Sequence, residues 1–155
     1  GRVEIESEID KGTTIRLKIP INLAVINGTI IELGKTHYIL PTLNIRRIVQ
    51  PEKSQLSTVN GKSTMLRLKD ELFPVIPIKD VLRLDDVETD LMIIIESEND
   101  AKALPVTNII GRSDIVVKPL GDEMASSRLF SGASITGNGT VSLIMDIENL
   151  LTHER

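Results

Sequence analysis

Ile30-Ile31-Glu32, followed by Leu40-Pro41-Thr42-Leu43-Asn44-Ile45, is the stretch that decides how this 155-residue chain is built. It returns later as Ile94-Ile95-Glu96 and Leu104-Pro105-Val106-Thr107-Asn108-Ile109. Sliding residues 30–45 onto 94–109, an offset of 64, gives seven identities in sixteen positions without a gap. The ends of the two stretches also correspond if one extra residue is allowed. Val75-Ile76-Pro77-Ile78-Lys79-Asp80-Val81-Leu82 parallels Leu143-Ile144-Met145-Asp146-Ile147-Glu148-Asn149-Leu150-Leu151. Each reads as a buried strand running into a short helix. The body of the chain is therefore two copies of one β unit, at about 22–84 and 90–152.

Within each copy, short β-branched runs alternate with turn signals. Strands are expected over 29–33 and 36–40, joined by Gly34-Lys35 as a type II′ turn. Further strands are expected over 42–49, 65–68 and 72–78, and again from Leu91 onward. Residues 50–63 read as a polar loop or hairpin turn, 79–84 as one helical turn and 85–90 as a charged linker. This is the pattern of an all-β protein, a small barrel or sandwich in each copy. A unit of about 60 residues is marginal alone, so the copies should pack on each other and leave a groove between them. Pro41 and Pro105 are expected on strand edges, where a missing N–H does no harm.

The first twenty residues belong to neither copy. Val3, Ile5 and Ile9 alternate with Glu4, Glu6 and Glu8, and Ile15, Leu17 and Ile19 alternate with Thr14, Arg16 and Lys18. Folding about Lys11 pairs Val3 with Ile19 and Ile5 with Leu17, and sets Glu4 against Lys18 and Glu6 against Arg16. Gly12 supplies the positive φ of the turn. The charged face is expected to be a solvated sheet face. The chain opens at Gly1 inside this strand pattern, without an initiator Met, so it is read as a piece of a longer protein.

Composition narrows the function. Aromatic residues make up 2% of the chain and the net charge is −4, which disfavours a nucleic-acid binder on both stacking and phosphate grounds. The absence of cysteine removes disulfides and thiolate chemistry. No apolar run reaches the roughly 20 residues of a membrane helix. His37 and His153 lack spacing partners for a metal, and no phosphate loop or dinucleotide fingerprint is present. Gly137-Asn138-Gly139 reads as a hairpin turn. Binding is what remains. Ile45, Ile48 and Val49, around Arg46-Arg47, form one candidate contact surface, and the polar stretch 121–128 leading to Leu129 and Phe130 forms another.

These residues carry a resemblance. Gly1-Arg2-Val3-Glu4-Ile5-Glu6-Ser7, Lys11-Gly12-Thr13-Thr14-Ile15 and Leu17-Lys18-Ile19-Pro20-Ile21-Asn22-Leu23-Ala24 look like the end of the ATP-binding domain of CheA chemotaxis kinases. Tyr38-Ile39-Leu40-Pro41, Ile115-Val116-Val117-Lys118-Pro119-Leu120-Gly121 and Gly132-Ala133-Ser134-Ile135-Thr136-Gly137-Asn138-Gly139-Thr140-Val141-Ser142-Leu143-Ile144-Met145-Asp146 resemble the CheW-like regulatory domain that follows it. The resemblance implies two SH3-like five-stranded β-barrels in tandem with short helices. Residues 1–21 would be the last hairpin of the kinase domain and 22–155 the regulatory domain.

The implied function is to dock a histidine kinase onto the CheW adaptor and the chemoreceptor tip, so that receptor state controls autophosphorylation. The implied partners are that adaptor, the receptor and the rest of the kinase, with no nucleic acid and no membrane insertion. The implied setting is the cytoplasmic face of receptor arrays. ATP and Mg²⁺ belong to the parent kinase, and this fragment is expected to hold no cofactor and no catalytic residue. Ile45, by its place in Leu-Pro-x-x-Asn-Ile, falls where the family uses an apolar residue near its contacts, and Lys69, in a strand turn of the first barrel, falls near a commonly basic position. The partner-binding candidates are thus Ile45, Ile48, Val49, Lys69 and Phe130. Thr107 and Arg112 depart from the family's usual acidic and amide residues, which puts second-barrel contacts in question. A free-standing CheW-type adaptor is the alternative.

Overall fold

The computed structural model describes residues 2–18, 24–59, 61, 63–98, 100–121, 128–135 and 139–152. It begins with a hairpin of β1 (Arg2–Glu8) and β2 (Gly12–Lys18). The register differs from the expected one by two residues. Val3 faces Leu17, Ile5 faces Ile15, Glu4 faces Arg16 and Glu8 faces Gly12. The turn decides this: Asp10 adopts φ 70, Gly12 adopts φ 100, and the Lys11 N–H donates to the Glu8 carbonyl at 3.2 Å. A two-residue slip keeps every side chain on its expected face.

Two further hairpins form the centre of the molecule. β3 (Ala24–Leu33) and β4 (Thr36–Pro41) are closed by Gly34 at φ 65, in the first position of a two-residue turn, as type II′ geometry requires. β9 (Leu91–Ser97) and β10 (Asp100–Val106) are their counterparts at the offset of 64. Gly28 faces Pro41 in one hairpin and Met92 faces Pro105 in the other, so the registers coincide after the shift. The third strands also correspond: β5 (Ile45–Val49) and β11 (Asn108–Val117).

The copies exchange these third strands. β11 pairs with β3, and β5 pairs with β9. Ile31 faces Ile109 in the first ladder, and Ile95 faces Ile45 in the second. A register shift falls at the same place in both, between Ile109 and Gly111 and between Ile45 and Arg47. The molecule therefore has an internal pseudo-twofold that relates strand partners as well as strands.

The remaining strands are β6 (Leu56–Val59), β7 (Ser63–Leu68), β8 (Glu71–Pro74), β12 (Phe130–Ile135) and β13 (Val141–Met145). They complete a five-stranded sheet in the order β11-β3-β4-β13-β12 and three-stranded sheets β10-β9-β5 and β6-β7-β8. Strand pairing thus cuts across the stretches 22–84 and 90–152, since each larger sheet draws on both. The ladders do not close into continuous barrels. Single bridges, Lys118 to Ala133 and Val75 to Ala103, reach across the gaps. β6 lies within the stretch expected as a loop or hairpin turn, and pairs antiparallel with β7. Pro41 sits in a strand flanked on both sides, but the parallel β4–β13 pairing covers Tyr38 and Ile39 and stops before the proline. α2 (Ile147–Thr152) follows the buried end of β13, as the repeat implied, whereas Val75-Ile76-Pro77 separates α1 (Ile78–Val81) from the exposed end of β8.

Both central hairpins bury both faces. Ile31, Leu33, Tyr38 and Leu40 meet Ile93, Ile95, Leu104 and Val106 in a shared core, together with Ile78, Leu150 and Leu151 from the helices. The outer faces fill two smaller cores. Ile39, Ile115 and Ile144 line one, and Leu66, Phe73, Met92 and Ile94 the other. Strands covered on both sides read as continuous apolar runs, which is why Leu91-Met92-Ile93-Ile94-Ile95 shows no alternation. The expected groove between the copies is filled at its centre by the shared core.

Candidate partner-binding surface

β5 is the last strand of its sheet, and the register shift inside it re-aims Arg46 away from the ladder. The Arg46 guanidinium donates to both Glu71 carboxylate oxygens, at 3.2 and 3.4 Å. Its Nε lies 3.9 Å from Glu96 Oε2, and Cζ stands 5.9 Å from the centre of the Phe73 ring. Arg46 thereby ties β5 to β8 and β9. Its side chain is 41% exposed, so solvent screening holds the ion pair to about 1 kcal/mol or less. On the other side of the shift, Asn44 Nδ2 donates to the Glu96 carbonyl at 3.0 Å and fixes the entry to the strand.

The sequence candidates separate on this frame. Ile45 is half-buried against the shared core and Val49 against one of the smaller cores. Ile48 is 40% exposed and presents its side chain at the surface. Lys69 is exposed in the two-residue β7–β8 turn, where it takes the left-handed φ of 53 that few lysines adopt. Phe130 lies inward. It is 9% exposed and stacks on Tyr38, with ring centres 6.0 Å apart and planes 4° from parallel. All three of the chain's aromatic rings thus serve its cores, and a partner would have to open the shared core to reach Phe130. Most of the other candidate loop, 122–127, lies outside the described residues, as do His153, Gly137 and Asn138.

Sequence reasoning missed Leu43, which is 96% exposed in the turn before β5, and Leu72, 60% exposed beside Glu71. Neither stands out by pattern, because each is a lone leucine among strand-like neighbours. The pseudo-twofold adds one more. Position 110 is the counterpart of position 46, and Ile110 is 49% exposed. Ile48 in turn corresponds to Arg112, so the two strands carry arginine and isoleucine in exchanged places.

His37 Nε2 meets Glu32 Oε2 at 3.2 Å across the β3–β4 ladder, a pairing within the sheet. Among the described residues no group of three or more His, Asp or Glu is arranged to hold a metal. Burial pushes the Tyr38 hydroxyl above its ordinary pKa, which keeps it neutral in the core.

Comparison with known proteins fits this architecture. The CheW-like domain profile matches residues 27–155. The chain is 32% identical over 151 residues to the sensor histidine kinase CheAY of Helicobacter pylori, covering 95% of this chain and 19% of that protein. It is 30% identical over 153 residues to the chemotaxis protein CheA of Borreliella burgdorferi, covering 97% and 18%. The chain therefore spans about a fifth of the length of these relatives. A crystal structure of the scaffolding protein TtCheW from Thermoanaerobacter tengcongensis shares the fold at a TM-score of 0.72 and 14% identity, over 84% of this chain and 95% of that one. With its profile match, paired β units and whole-chain similarity to these kinases, the chain belongs to the CheW-like domain family.

Proposed function

We propose that this chain is the regulatory end of a chemotaxis histidine kinase, which docks the kinase onto a CheW-type adaptor and the chemoreceptor tip. The observation that carries this reading is the reach of the similarity. The kinase relatives match 95% and 97% of the chain, whereas the CheW-like profile begins at residue 27. The β1–β2 hairpin is therefore shared with kinases and lies outside the adaptor-like part. In this reading residues 1–21 are the last hairpin of the ATP-binding domain. Val3, Ile5, Ile15 and Leu17, each more than 60% exposed, then find their cover in the rest of that domain. ATP and Mg²⁺ act there. Residues 22–155 carry the docking surface, centred on Ile48, flanked by Ile45, Val49 and Lys69, on the cytoplasmic side of receptor arrays. No described helix is long and apolar enough to cross a membrane.

A calorimetric titration of the chain with a CheW-type adaptor tests the docking. Saturable binding is expected, with Ile48→Asp abolishing it and leaving the fold intact. No heat at about 100 μM adaptor, a concentration that reveals any affinity stronger than about −5 kcal/mol, would count against the proposal. Unchanged binding by a folded Ile48→Asp variant would move the surface elsewhere. A free-standing adaptor is the second reading, supported by the shared fold over 95% of a scaffolding protein. The gene sequence before Gly1 discriminates: an ATP-binding domain is expected there, and an initiation codon favours the adaptor.

A further inference from the structure

We infer that the two copies in this chain are exchangeable between molecules, so that the partner this fold is built to accept is the opposite half of a second copy of the same chain. The argument starts from where each central hairpin finds its neighbours. Both outer edges of the β3–β4 hairpin are occupied by strands of the second copy, β11 against β3 and β13 against β4. Both edges of the β9–β10 hairpin are occupied from the first copy, by β5 against β9 and by the bridge of Val75 to Ala103. The faces obey the same rule, since the shared core sets one hairpin against the other.

A single copy therefore leaves a hairpin with both ladder edges unpaired and both apolar faces uncovered, a combination that drives association. Every one of those groups is satisfied equally well by a half from another molecule. The bonds are identical, and only the connection between the halves differs.

That connection is short and distorted. The charged stretch 85–90 joins α1 to β9, and Arg83 and Asp86 hold left-handed φ values of 55 and 54, which side chains other than glycine disfavour. Thr107 Oγ1 ties it to the β3–β4 turn, donating to the Glu88 carbonyl at 2.5 Å and accepting from the Gly34 N–H at 2.8 Å. Strained hinges of this kind favour exchange. In the intact chain the tether holds the halves at an effective concentration on the order of millimolar, so the closed monomer prevails in dilute solution. Shortening the tether removes that advantage without touching either core.

The test keeps both copies in one chain and uses the lack of cysteine in the sequence. Asn27 and Asp114 are exposed Cα partners across the β3–β11 ladder, one from each copy. Asn27→Cys and Asp114→Cys are made in separate chains lacking residues 86–88, mixed, refolded together and oxidised with oxidised glutathione. The expected product has twice the mass of one shortened chain, with a disulfide joining residue 27 of one molecule to residue 114 of the other. A folded monomer from the shortened chain, or a dimer in which only 27–27 and 114–114 disulfides form, overturns the inference. Should the shortened chain not fold, the same pair with an intact tether is refolded from denaturant at rising concentration. The 27–114 heterodisulfide must then increase with concentration, and a yield that stays at zero overturns the inference equally.

Discussion

The chain holds two hairpins of equal strand length with opposite fates. In β1–β2 the apolar residues Val3, Ile5, Ile15 and Leu17 are 62–67% exposed. In β9–β10 Ile93, Ile94, Ile95, Ala103, Leu104 and Val106 are all 0% exposed. Both have seven-residue strands and regular antiparallel ladders. The difference is that β1–β2 has one apolar face and β9–β10 has two. A two-faced hairpin is placed between layers, and a one-faced hairpin waits for a single cover. An isolated two-stranded hairpin is marginal in water, so the exposed face of β1–β2 is the clearest sign of a missing neighbour. That is the physical content of the proposal that residues 1–21 belong to a kinase domain.

The largest effect expected from this contrast is at the centre. Ile95→Ala removes three carbons from the shared core, where Ile95 faces Ile45 and has no exposure. It should lower stability by about 2–5 kcal/mol, read from urea denaturation. A loss below about 1 kcal/mol would mean that the hairpins do not share a core, and the contrast would collapse.

Next is Gly28, whose counterpart in the other hairpin is Met92. A Cβ at Gly28 would stand 2.6 Å from Ile115 Cγ1 and 2.7 Å from Ile39 Cγ2. The sheet with β11 leaves no room for the side chain that the other sheet accommodates. Gly28→Ala should cost about 1–3 kcal/mol through overpacking. Gly12, at φ 100 in the β1–β2 turn, has nothing within 4 Å of such a Cβ, so Gly12→Ala pays for its backbone angle alone. If the two substitutions lower the melting temperature equally, crowding is not what separates the hairpins.

A smaller effect depends on pH. The Tyr38 hydroxyl titrates above its ordinary value of 10.0 because burial disfavours the phenolate. A raised folded-state pKa stabilises the protein fully below the unfolded value, and that stability is lost as pH rises through the folded value. Tyr38→Phe should therefore flatten the decline in urea midpoint between pH 9 and pH 11, leaving the midpoint at pH 8 little changed. An identical decline in wild type and variant would mean that the ring is hydrated beside Phe130.

Much of this architecture was legible in the residues, and the losses have physical causes. The offset of 64 is readable because both central hairpins must be apolar on both faces, so Ile30-Ile31-Glu32 and Leu40-Pro41 recur with their spacing. The exchange of β5 and β11 was not readable, since a repeat identifies strands and is silent about which copy of a strand is the partner. The β1–β2 register slipped by two because exposed cross-strand charges such as Glu6 and Arg16 contribute little, while the backbone of Asp10 sets the turn. β6 escaped notice because Leu56-Ser57-Thr58-Val59 offers only two apolar residues. Of the candidate surface, Ile48 was legible as an apolar residue beside two arginines. Phe130 reads as a loop anchor because it is an aromatic after a polar run, and stacking on Tyr38 draws its ring inward.

The smallest effect is the sharpest test of the opening contrast. Ile5→Thr keeps a β-branched residue in β1, so the ladder opposite Ile15 is preserved and only apolar surface is lost. Ile5 is 67% exposed, so the substitution should change the stability of this chain by no more than about 0.5 kcal/mol. In a longer chain carrying the proposed ATP-binding domain, the same residue would be covered. Ile5→Thr should then cost several times as much, because a hydroxyl replaces buried carbon. Matched denaturation curves for the two lengths decide the matter. Equal small losses in both would leave the β1–β2 face uncovered even in the longer protein, and the hairpin would have to be assigned to something other than that domain. A loss above about 1 kcal/mol in the short chain would mean that the hairpin already packs on the β units, and the two hairpins would differ in degree only.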